Sequence, residues 1–64
     1  MKRYWLYDGY CTPTPVKKFW THRGAVHYVE RMGAKLGGIT RNWIVNDVNY
    51  FDCGAVVYRL VKKK

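Results

Sequence analysis

Residues 21–36, THRGAVHYVERMGAKL, form the longest stretch of this chain in which apolar side chains recur with a helical period. At 100° per residue, the apolar side chains gather in one sector. The opposite sector carries a row of basic side chains, Arg23, His27, Arg31 and Lys35. Thr21 can cap the first turn, and the Gly37-Gly38 pair is typical of a helix end. The stretch therefore predicts an amphipathic helix with one face on a core and one basic face.

The rest of the chain predicts strands around this helix. Residues 2–10 and 55–61 alternate in character, and residues 16–20 and 43–46 are short strand candidates. Two alternate prolines make residues 12–15 a connector or an edge rather than a central strand. Residues 47–54 are either a wide loop that presents Tyr50 and Phe51 or an extension of the flanking strands.

These elements predict a single α+β domain over residues 1–64. One amphipathic helix packs on a three- or four-stranded antiparallel sheet in β(β)αββ order, and residues 62–64 form a basic tail. Alternation along the last strand turns Val56, Tyr58 and Leu60 to one face, where Val29, Met32 and Leu36 of the helix can meet them. A single helix leaves the other sheet face uncovered.

The charge is strongly basic, since twelve Lys and Arg against four acids give a formal net charge of +8. Such a field attracts polyanions: nucleic acid, an anionic membrane or an acidic protein surface. With neither a signal sequence nor a long apolar run, the expected location is the cytoplasm (the host cytoplasm for a viral protein), without a membrane partner. Cys11 and Cys53 are then expected to be reduced, unless neighbouring strands bring them together as a disulfide.

Catalysis and metal binding find little support in the residue pattern. The four acids form no evident acid–base pair, and a chain of 64 residues has little interior for a pocket. His22 and His27 have a zinc-like spacing, but Cys11 and Cys53 lie at opposite ends of the chain. The pattern predicts a non-enzymatic protein with no metal and no cofactor.

Nucleic-acid binding has the strongest chemical case. The basic side chains of the helix recur every four residues, and no acid lies four residues from any of them. Aromatic residues interleave with basic ones along the chain, which is typical of surfaces that bind single strands. The predicted nucleic-acid-binding residues are Arg23, His27, Arg31, Lys35, Lys17, Lys18 and Arg41.

A protein-binding module is the alternative, either a homodimer or a regulator of a host complex. The chain has more large aromatic residues than one helix can cover, and Trp, Tyr and Arg dominate binding hot spots. The predicted partner-binding residues are Trp5, Tyr7, Trp43, Tyr50, Phe51 and Arg59.

The segments THRGAVHYVERMGAKLGG, NWIVND and AVVYRLVKKK together resemble the small bacteriophage-encoded proteins that modulate host or defence machinery. This resemblance is one of element order, strand–helix–strand–strand, and it implies a regulatory role without assigning functional residues. Many inhibitors of that kind are acidic mimics of DNA. A charge of +8 excludes that mechanism here.

Overall fold

A computed structural model describes residues 2–63 of the chain. The elements in order are β1 (Tyr4–Asp8), β2 (Lys17–Phe19), α1 (His22–Ala34), β3 (Arg41–Val45), β4 (Val48–Asp52) and β5 (Val57–Lys62). The α+β class is confirmed, with α1 packed on an antiparallel sheet. The sheet, however, has five strands rather than three or four, in the order β2-β1-β5-β4-β3.

The helix begins and ends where its capping residues predict. The Thr21 hydroxyl accepts a hydrogen bond from the Gly24 backbone N–H at 3.1 Å, which satisfies one donor of the first turn. At the other end, Gly37 and Gly38 have φ of 99° and 97°, and the Gly38 N–H donates to the Gly33 carbonyl at 2.8 Å. Because the helix stops at Ala34, the predicted core contact of Leu36 is wrong, and that side chain is 42% exposed.

The fifth strand comes from a tight turn that the sequence interpretation missed. Asn46 and Asp47 have φ of 50° and 65°, the two positive values of a type I′ hairpin turn. Val45 and Val48 pair across this turn, so residues 48–52 continue as β4. Of the two alternatives for residues 47–54, the extension of the strands is the one observed.

The core lies between α1 and one face of the sheet. Leu6, Phe51 and Leu60 from the sheet are buried against Ala25 and Val29 of the helix. The helix packs chiefly on β1 and β2, at one side of the sheet. At Gly33 the helix comes so close to the chain after β4 that a Cβ atom would lie 2.9 Å from the Cys53 sulfur. Any residue can adopt a helical φ, so the backbone conformation does not require glycine here. The close approach does, because a Cβ atom would crowd the Cys53 sulfur.

Strand register decides which side chains face away from the helix. One row runs across all five strands through Lys18, Trp5, Val61, Val48 and Val45. A second row runs through Tyr7, Arg59, Tyr50 and Trp43. Successive side chains alternate between faces, and Leu6 and Leu60, which lie between the two rows, belong to the core, so both rows lie on the side opposite α1. We call these two rows, with Arg41 and Lys63, the open sheet face.

The two ends of the chain meet along β1 and β5. Lys62 is the last residue of β5, and the Lys63 N–H donates to the Arg3 carbonyl at 2.6 Å. Of the predicted basic tail, Lys62 thus belongs to β5 and Lys63 is hydrogen-bonded beside the sheet, and Lys64 lies outside the described residues. Within residues 2–63, no helix is long and apolar enough to cross a bilayer.

Candidate nucleic-acid interface

Three aromatic rings gather on the open sheet face. Trp43 and Tyr50, paired across β3 and β4, stack with ring centroids 5.3 Å apart and planes only 6° from parallel. Tyr10, from the loop after β1, lies 6.0 Å from Tyr50. We call Tyr10, Trp43 and Tyr50 the aromatic cluster. The Arg41 guanidinium carbon lies 4.9 Å over the Trp43 ring, so a cation accompanies the cluster.

Trp5 forms a second centre of the same kind. Its ring lies under two ammonium groups, Lys18 at 4.0 Å and Lys63 at 5.0 Å from the ring centroid. The indole N–H donates to the Lys2 carbonyl at 3.0 Å, which holds the ring in place. Trp5 and Trp43 lie about 16 Å apart, because β1 and β3 are three strand spacings apart in the sheet and Trp43 is two residues along β3 from the row of Trp5. Both centres therefore pair a flat ring with positive charge on one face.

Two residues predicted to bind a partner on this face are already engaged within the chain. The Arg59 side chain donates from Nε to the Gly9 carbonyl at 2.9 Å and from Nη2 to the Thr12 carbonyl at 2.7 Å. Its guanidinium also lies 4.6 Å over the Tyr7 ring, which is only 7% exposed. Arg59 thus holds the β1–β2 loop against the open sheet face, and Tyr7 lies in the packing beneath it.

Phe51 is the clearest correction among the predicted site residues. It is 1% exposed, faces α1 and is one of the largest fully buried side chains of the core. Its neighbour Tyr50 points to the opposite face because side chains alternate along β4. A loop would have presented both residues, whereas a strand separates them.

The basic side chains of the helix lie on the other side of the molecule. Arg23, His27, Arg31 and Lys35, which we call the helix basic row, are all exposed. Lys17 is also on the helix side, with its ammonium group 5.0 Å over the Tyr28 ring. Of the seven residues predicted to bind nucleic acid, Lys18 and Arg41 are the two that the fold brings beside aromatic rings on the open sheet face.

The open sheet face is positive apart from one corner. Asp52 is paired with Arg41 across β3 and β4, and its carboxylate accepts the Gly54 N–H at 2.8 Å. Lys18, Lys63 and the remaining donors of Arg59 have no acid paired with them in the strand register. The face therefore retains a net positive charge.

The groups with shifted pKa values lie away from this face. Burial raises the pKa of the Cys53 thiol, with a smaller contribution from the Asp52 carboxylate. Burial also raises the pKa of Tyr58, and the charge of Asp8 adds to it. Both side chains belong to the core under the helix. Both cysteines are free: Cys11 is exposed, and Cys53 is buried. Within residues 2–63 no three potential metal ligands cluster.

The sequence does not predict two residues of the site, Lys63 and Tyr10. It places Lys63 in a basic tail, although the alternation of β5, continued by two residues, puts Lys63 on the same face as Val61 and Trp5. Tyr10 precedes a proline-rich connector, and only the folding of the loop brings it to Tyr50.

Comparison with family models, curated proteins and solved structures yields no match for this chain.

Proposed function

We propose that this protein binds single-stranded nucleic acid on the open sheet face. The observation that carries the proposal is the coincidence of half-buried aromatic rings and cations on that one face, at Trp5 with Lys18 and Lys63 and at Trp43 with Arg41. Antiparallel sheets covered by helices on one side are suited to this task, because the other side is a flat platform for bases.

The rings supply stacking and the cations supply phosphate contacts. Every base has a π-face, so a stacking platform accepts many sequences, and each stacked base contributes about 1–3 kcal/mol. Arg41, Lys18 and Lys63 lie at the rings, where the phosphates of a strand with stacked bases would pass. A separation of about 16 Å between the two centres suits a short site, near the lower end of the 4–16 nucleotides typical of single-strand binding folds.

The structure-guided test compares binding of fluorescent single-stranded DNA and RNA oligonucleotides by anisotropy at low salt. Trp43→Ala and Trp5→Ala should each weaken binding roughly 5- to 150-fold, the loss expected for one stacked base. Trp43→Phe keeps a ring and should retain most of the affinity. Quenching of tryptophan fluorescence on binding should fall in the same two alanine variants.

Ile44→Ala is the matched control for the ring variants. Ile44 is next to Trp43 on the same edge strand and is 68% exposed, but the alternation of β3 turns it to the opposite face. Its loss should leave binding unchanged. No detectable binding of any single strand at low salt would end the proposal, since phosphate contacts are strongest there. Equal losses in Ile44→Ala and Trp43→Ala would move the site off the open face.

A homodimer through β3 is the second candidate function. The two edge strands of the sheet differ: β2 has only three residues, two of them lysines, whereas β3 has five residues and exposes Ile44 (68%) and Val45 (47%). Short charged edges resist pairing with another strand, and long apolar ones invite it. Light scattering at high micromolar concentration tests this idea. A mass that stays monomeric excludes the dimer, and Ile44→Lys should abolish any dimer seen.

The role as regulator of a host complex, which the bacteriophage resemblance implies, stays a prediction. A pull-down from a host lysate, with and without nuclease, distinguishes it from nucleic-acid binding. A protein retained after nuclease treatment would favour the regulator. Retention that depends on nucleic acid would favour the open sheet face as a strand-binding site.

A further inference from the structure

The helix basic row has features that the proposed site on the sheet does not use. Its four side chains are exposed and extend over about 18 Å at a rise of 1.5 Å per residue. Glu30 is the one acid of the helix, and it lies three residues from His27, within reach of that side chain. It lies neither three nor four residues from Arg23, Arg31 or Lys35, so these three permanent cations have no acidic neighbour at helical spacing.

Helix stability does not account for the start of the row. The first turn contains no acid, and Arg23 places a positive charge at the positive end of the helix dipole. Arg31 and Lys35, near the C-terminus, interact favourably with the dipole and have a structural reason to be basic. Arg23 has no such structural reason to be basic. Contact between its side chain and an external anion would provide a functional reason.

The helix basic row and the open sheet face point away from each other. The row lies on the outer side of the helix, so the helix, about 10–12 Å in diameter with its side chains, separates the row from the sheet. The two shortest dimensions of the molecule are 21 and 19 Å. At 0.1 M salt the Debye length is about 10 Å, so phosphates bound on opposite sides would repel one another only weakly.

We infer that one copy of this protein holds two nucleic-acid strands at once. This inference rests on the proposed function: the open sheet face stacks the bases of the first strand. The helix basic row, which has no stacked rings, binds the phosphate backbone of the second through Arg23, Arg31 and Lys35. A protein with two such surfaces draws strands together, and with complementary strands it accelerates annealing.

A sandwich capture assay tests the inference. An eight-nucleotide oligothymidine is immobilised and saturated with protein at about 0.1 M salt, excess protein is washed off, and a second, fluorescent copy of the oligonucleotide is added. If the immobilised strand also reached the helix basic row, it would lose affinity when the charges of the row are reversed, so its own affinity is measured beside capture of the second strand. The wild type should capture the second strand. Arg23→Glu with Arg31→Glu should reduce capture about tenfold or more, because two of the three permanent cations in the row change sign.

The matched control is Lys17→Glu with Lys62→Glu. Both residues are exposed, and both lie off the row and off the open sheet face. The two double variants lower the formal net charge of +8 by the same four units. The control should capture the second strand about as well as the wild type. The affinity for the first strand should change less than about twofold in the row variant, since the Debye length is shorter than the molecule is thick.

The outcomes separate the inference from the proposed function. If the first strand binds and the wild type captures no second strand, the inference falls and the proposed function stands. If neither strand binds, both fall. Equal loss of capture in the row variant and the control would mean that capture depends on the net charge of the protein and not on the helix basic row. This result would overturn the inference. Capture that persists in the row variant would also overturn the inference, because a protein dimer with one strand bound to each copy would then explain the capture.

Discussion

The salt dependence of strand binding is the sharpest prediction from the open sheet face. Each phosphate that a protein neutralises on a single strand contributes about −0.7 to the slope of log affinity against log salt. Arg59 already donates to two backbone carbonyls, so we do not count it as a phosphate contact. The face then carries three cations that can each bind a phosphate: Lys18, Arg41 and Lys63. Three contacts give a slope of about −2. Raising the salt from about 50 to 200 mM should then weaken binding about 20-fold.

Substitutions should change this slope in a way that assigns the charges. Lys18→Gln with Arg41→Gln leaves one cation, so the slope should fall to about −0.7 and the same salt change should cost less than about threefold. Trp43→Ala removes stacking and no charge. Its line should therefore be displaced to weaker binding with an unchanged slope. Lys17→Gln with Lys62→Gln, on the helix side, is the control and should leave the slope as in the wild type.

Anisotropy titrations of a short fluorescent strand at five or six salt concentrations provide the measurement. A wild-type slope near −4 would refute the assignment, because it would require about six phosphate contacts. The helix basic row would then have to bind the same strand as the sheet. A slope near zero would refute phosphate binding altogether.

Four further predictions concern the fold that presents the face. Gly33→Ala should destabilise the protein by about 1–3 kcal/mol in urea unfolding, despite a gain of about 1 kcal/mol in helix propensity, because its Cβ would lie 2.9 Å from the Cys53 sulfur. Adding Cys53→Ala should recover part of that loss, and simple additivity would contradict the close contact. One thiol per chain, Cys11, should react with Ellman's reagent in the native protein, whereas Cys53 should react only on unfolding, since it is buried and its pKa is raised. The folded chain retains the Cys53 proton to higher pH than the unfolded chain, so stability should decline as pH rises above the ordinary thiol pKa. Asp47→Val should cost about 1–2 kcal/mol, because a β-branched residue is strained at a φ of 65°, whereas Asp47→Gly should be tolerated.

The sequence predicts some residues of the candidate site but not their grouping. Trp5, Trp43 and Tyr50, which it predicts as protein-binding residues, lie on the sheet face away from the helix, and of the predicted nucleic-acid-binding residues only Lys18 and Arg41 lie beside rings on that face. Binding of single strands stays a prediction. The sequence could not show that Tyr7 is buried, because the Arg59 guanidinium that lies over its ring and holds the β1–β2 loop comes from a distant segment of the chain. Nor could it show which cations accompany the rings.

What the sequence determined by itself is local. The helical period, the Thr21 cap and the Gly37-Gly38 pair predicted α1 to within two residues, and alternation predicted β5, because these depend on neighbours a few positions away. Strand order and facing depend on pairing between distant segments, such as β1 with β5, and one residue of register reverses every side chain. Only the tertiary structure therefore decided that Lys18 and Arg41 join the tryptophans, while the helix basic row lies on the opposite side of the molecule.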